Sequence, residues 1–99
     1  MRPELEFAAR TGDAVAVADL LDRGVDINSL DKHGQTALML AIVARHEAAA
    51  SALVRAGANL ALRGSGGAPG FRDKTAYDLA MEQGMDALCR EIQARATPG

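Results

Sequence analysis

The chain has 99 residues, a formal net charge of -2 and three aromatic side chains, Phe7, Phe71 and Tyr77. A domain of that size buries about two thirds of its unfolded surface, and with hydrophobic residues at 48% the core must be built of alanine, leucine and valine, which implies closely packed helices. So balanced a charge gives no field to gather polyanions, which argues against nucleic acid or an anionic membrane as the partner. Cys89, the single cysteine, forms no internal disulfide, and Met1 to Arg10 has no apolar run long enough for a leader or a span. The expected setting is intracellular, in the cytoplasm.

In chain order, a first helix is predicted from Pro3 and ends near Gly12, where a residue able to adopt positive φ closes it without strain. Asp13 is placed to cap a second helix, whose apolar stripe is Ala16, Val17, Leu20 and Leu21. Gly24 closes that helix. The run Asp31, Lys32, His33, Gly34 reads as a tight turn, and a third helix starts soon after it, at Thr36. A fourth helix, with His46 near its start, carries the stripe Ala49, Ala50, Leu53 and Val54 and closes at Gly57. Residues 63–70, rich in glycine, are expected to form a flexible loop. Thr75 with Asp78 then makes a capping box for a fifth helix, and Leu88, Cys89 and Ile92 form the stripe of a sixth. A disordered tail is expected over 96–99.

These elements repeat. Aligning Pro3 with Thr36 is a step of 36 − 3 = 33, and Thr36 with Thr75 a step of 75 − 36 = 39. Leu5, Leu38 and Tyr77 then coincide, as do Phe7, Leu40 and Leu79, and Leu20, Leu53 and Ile92. Each stripe can be buried only against a neighbouring unit, the mark of a stacked array.

With Asp31, Gly34, Thr36, Leu38, Ala41, Gly57, Ala58 and Asn59 in the middle window, and Thr75, Leu79, Ala80 and Gly84 in the last, the sequence resembles the ankyrin-repeat family over nearly its whole length. The resemblance implies an all-α solenoid of three helix-turn-helix units with hairpin-like connecting loops, a single domain over 1–95 with repeats at about 3–30, 31–63 and 70–95. The chain departs from the family at Ala37 and Met39, and at Ala76 and Asp78, where proline and histidine are common, so the family's threonine–histidine bond is missing and slightly lower local stability is expected. Six extra residues fall in the second connecting loop. Arg2, Glu4, Glu6 and Arg10 at one end, and Arg90, Glu91, Gln93 and Arg95 at the other, read as polar outer faces of a complete short array.

No catalytic constellation emerges. The glycine-rich loop fails as a phosphate cradle, because Pro69 stands where the last glycine of GxGxxG would fall and Asp73 where a P-loop needs glycine before Lys74 and Thr75. Cys89 aligns with Val17 and Ala50 on buried stripes and reads as a packed thiol. His33 and His46 have no partners at zinc-ligand spacing, and no cofactor is implied.

What the resemblance implies is recognition of another, folded protein along the loop tips and the concave face of the first helices, as an adaptor or regulatory subunit and not an enzyme. The candidate contact residues are Arg10 and Thr11 from the first repeat; Leu30, Lys32, His33, Gln35, Val43 and Ala44 from the middle; and Phe71, Arg72, Lys74, Glu82 and Gln83 from the last. A contiguous apolar patch of Leu30, Val43 and Phe71 would mark the binding surface. Two other readings stand beside it: weak self-association through that patch or by stacking of end repeats, and a small enzyme or ligand-binding protein using the 63–70 loop.

Overall fold

The structure, a computed structural model, describes residues 1–64 and 72–96, with the side chain of Ala96 left aside. Among the described residues six helices follow one another: α1 Pro3–Thr11, α2 Ala14–Asp22, α3 Ala37–Val43, α4 Glu47–Arg55, α5 Ala76–Glu82 and α6 Asp86–Ala96. They form three pairs, with α1, α3 and α5 packed side by side in one layer and α2, α4 and α6 in the other. The molecule measures 31 × 28 × 22 Å.

The local signals act as their chemistry requires. Asp13 Oδ1 accepts from the Ala16 amide at 3.0 Å. Thr36 Oγ1 accepts from the Met39 amide at 3.2 Å. Thr75 and Asp78 exchange both bonds of a capping box, at 3.2 and 3.0 Å. The departures from the family pattern are thus put to use, since Met39 joins the core at 1% exposure and Asp78 completes a cap. Gly12 ends α1 at φ 79°, and a Cβ built there would lie 2.5 Å from His46 Cγ. That closeness lets the His46 Nε2–H donate to the Arg10 carbonyl at 3.0 Å, tying the second repeat to the first.

Alanines make the layers close. Ala8, Ala9, Ala41, Ala49, Ala50 and Ala80 are all buried, while Leu5, Leu38, Leu53, Leu79 and Leu88 fill the spaces between them. Cys89 is buried in the same layer, and burial, then the nearby Asp86 carboxylate, pushes its thiol pKa up, so it is a core residue.

Both connecting fingers are closed by the same backbone bonds. In the first, the Asp31 amide donates to the Gln35 carbonyl at 2.9 Å and the Gly34 amide to the Asp31 carbonyl at 3.1 Å. In the second, Gly64 donates to the Lys74 carbonyl and accepts from the Asp73 amide, both at 2.9 Å. Gly64 had been expected within the flexible stretch, yet it is buried and fully paired because it holds the place of Asp31. Arg63, at the start of the expected loop, is exposed and its Nη1 donates to the Asp73 carbonyl at 2.8 Å; residues 65–70 lie outside the described residues, as do 97–99 of the tail, and Ala96 belongs to α6.

Polar clamps span the second-helix layer. Ser51 Oγ donates to Glu91 Oε1 at 2.6 Å, and Arg55 Nε donates to Glu91 Oε2 at 3.1 Å. The Ser51 hydroxyl, working against partial burial and helped by Arg55, holds the Glu91 carboxyl below its usual value of 4.5.

Two outcomes are expected. Gly12→Ala combines left-handed strain with a collision against His46 and should lower unfolding free energy by about 2 kcal/mol or more, read from urea midpoints. Because folding lowers the Glu91 pKa, its stabilisation is present above 4.5 and is lost as pH falls through the lower folded value. The thermal midpoints of the native chain and Glu91→Gln should therefore differ at neutral pH and converge in acid.

Candidate protein-binding surface

Two columns of equivalent residues run across the first-helix layer at its C-terminal end. One is Arg10, Val43 and Glu82, and the next is Thr11, Ala44 and Gln83, each related by the steps of 33 and 39. All stand exposed except Gln83, which is half-buried. They lie outside the stripe because the helix turns its Leu5, Leu38 and Leu79 faces inward.

The fingers flank these columns. Arg10 Nη2 lies 3.7 Å from Asp31 Oδ2 at the base of the first finger, and Lys74 Nζ lies 2.6 Å from Glu82 Oε2 beside the second. Leu30 is 48% exposed and Val43 38%, while Lys32, His33 and Arg72 are exposed and Lys74 is half-buried. Phe71 lies outside the described residues, so of the three apolar candidates Leu30 and Val43 are the two that can be placed.

Gln35 corrects the expectation. It is 1% exposed, its amide donates to Asp31 Oδ1 at 2.9 Å and its carbonyl accepts the bond that closes the finger. With its side chain buried in this way, Gln35 cannot meet a partner.

Arg45 lies outside the set read from the sequence and is a further candidate. It occupies the position of Gly12 and Gly84, with φ 65° where they have 79° and 71°. A side chain in that region costs about 1–2 kcal/mol, and such strain gathers at functional surfaces. Arg45, exposed and following Val43 and Ala44 in the chain, donates from Nη1 to Gln83 Oε1 at 2.9 Å across the repeat junction. The signal was in the alignment: an arginine in a column of glycines.

Among the described residues no three His, Cys, Asp or Glu side chains gather as metal ligands. No described helix is long and apolar enough to cross a membrane.

The family profile for ankyrin repeats, in three copies, matches residues 5–95. The chain belongs to the ankyrin-repeat family. Members of this family are generally protein-interaction modules and typically are not enzymes. The protein is similar to an ankyrin repeat-containing protein of Saccharomyces cerevisiae, 42% identical over 56% of this chain and 11% of that protein. It is 43% identical to a putative ankyrin repeat protein of Escherichia coli, over 54% of this chain and 27% of the other. An ADP-ribosylation factor GTPase-activating protein of Arabidopsis thaliana is 35% identical over 81% of this chain and 10% of its own length. The chain thus spans between about a tenth and about a quarter of these relatives.

Replacing Arg45 with glycine removes the strain and one exposed hydrogen bond, while adding the chain entropy of glycine. The ankyrin domain of Arg45→Gly should be more stable by about 0.5–1 kcal/mol, read as a higher urea midpoint at unchanged slope.

Proposed function

We propose that this ankyrin domain is an adaptor or regulatory module that holds a folded protein against its finger tips and the exposed ends of its first helices, and that it performs no catalysis. The observation carrying the reading is the strained Arg45, exposed next to Val43 and Ala44 in the chain and reaching across the repeat junction to Gln83. Glycine stands at the same position in both other repeats, so nothing in the helix turn itself calls for arginine. The family's general role as an interaction module supports the same conclusion.

The proposed contact set is Leu30, Lys32, His33, Val43, Ala44 and Arg45 at the centre, with Arg10, Thr11, Arg72, Lys74, Glu82 and Gln83 around it, and Phe71 carried from the sequence. A surface of this extent suits an interface of about 600–800 Å² per partner. Apolar Leu30 and Val43 with mixed charges around them resemble the core and rim of such interfaces.

The experiment is capture of a partner from the source organism, followed by titration of the purified pair. Val43→Ala with Leu30→Ala should weaken binding at least about tenfold, and Arg45→Gly should weaken it while the fold becomes more stable. Asp22→Ala, exposed on α2, should leave affinity unchanged. Unchanged affinity in the Leu30 and Val43 double variant, with helical content intact, would sink the assignment.

A further inference from the structure

The two ends of the stack do not match the polar capping that the sequence suggests. Phe7 is 70% exposed, although the equivalent Leu40 and Leu79 are 5% and 2% exposed. Leu20 is half-buried where Leu53 and Ile92 are buried at 0% and 2%. These positions therefore face the preceding repeat, and in the first repeat they line an open groove of about 470 Å³ between α1 and α2, with Ala16 and Asp19. The last repeat shows the complement. Met81 is 58% exposed where Ile42 and Ala9 are both 0%, and Tyr77 is half-buried where Leu38 and Leu5 are 2% and 0%.

We propose that copies of this chain stack head to tail, the Met81 end of one seated on the Phe7 end of the next as a continuation of the repeat-to-repeat packing. The occupant is a second copy because both halves of a repeat junction are present on one chain and their charges agree in register. Within the chain, Ser51 on α4 meets Glu91 on α6 at 2.6 Å. Moving each by the repeat step, Ser51 becomes Arg90 (51 + 39 = 90) and Glu91 becomes Asp19 (91 − 39 − 33 = 19). Continued stacking thus sets the Arg90 guanidinium of one copy against the Asp19 carboxylate of the next. Asp19 now pairs with Arg23 at 2.9 Å, but both side chains are more than half exposed and such a pair yields readily. Two Phe7 ends placed together would instead bring Glu4, Asp13 and Asp19 of both copies face to face.

Head-to-tail contact leaves one free end of each kind, so assembly is open. Sedimentation equilibrium of the whole chain between about ten micromolar and about one millimolar should show a mass climbing beyond twice the 10.3 kDa of one copy. Phe7→Glu and Met81→Glu, at sites already largely exposed, should keep their helical content and each weaken association at least about tenfold. Mixed in equal amounts, they should form a species that stops at two chains, because each supplies the end that the other lacks. Asp19→Arg should weaken assembly, and Asp19→Arg combined with Arg90→Asp should restore it. A native mass fixed at one chain over the whole range overturns the proposal, as does a mixture of the two variants that stays monomeric. Full dimerisation of Met81→Glu by itself overturns it too, since that requires like ends to meet.

Discussion

The structure depends on burying a stripe of small side chains from each helix pair against the next. Ala8, Ala41 and Ala80 in one layer, and Ala49 and Ala50 in the other, let helix backbones approach closely. With three aromatic residues in the chain and Phe7 standing bare, volume is supplied by leucine and isoleucine between these alanines. No pair is stable by itself, because its stripe has no other apolar surface to cover it. That mutual need sets the spacing of the repeats, and the spacing carries everything on the surface: Arg10, Val43 and Glu82 form a column because the buried residues beneath them repeat.

The same economy explains where the fold is strained. Every first helix must reverse direction within a few residues, and the turn uses left-handed backbone at Gly12, Arg45 and Gly84. Glycine fits at Gly12 for a second reason, the His46 ring packed against it. The middle repeat alone accepts a side chain there, and that side chain reaches across to Gln83. Strain and reach occur at one residue, two positions beyond exposed Val43.

A repeat position has no fixed environment. The residue at Leu40 is core because α1 covers it, while Phe7, one step earlier, has no described helix over it and is bare. Met81 and Ile42 differ for the same reason at the other end. Polar letters around these positions suggested solvated end faces, but the charges sit beside the apolar residues and do not cover them. Ends of this kind retain the shape and chemistry of a junction.

Much of the fold was legible because its signals are local. The apolar stripes at Val17, Ala50 and Cys89, the caps at Asp13, Thr36 and Thr75, and the period linking them each require only residues within one or two helical turns, so sequence by itself determined the helices, their pairing and the family. The candidate surface was legible in part: the columns from Arg10 to Glu82 follow from the period, and the contact role assigned to them from the family. Tertiary structure alone decided that Gln35 turns inward to close a finger, that Gly64 holds the place of Asp31 across an insertion, and that Phe7 and Met81 stand bare. It also chose the clamps, Ser51 and Arg55 with Glu91, Arg45 with Gln83 and His46 with Arg10, whose partners lie 36 to 40 residues apart. Such contacts depend on how one repeat settles on the next, and side-chain periodicity within a helix, which reports only which face is buried, carries no record of that register.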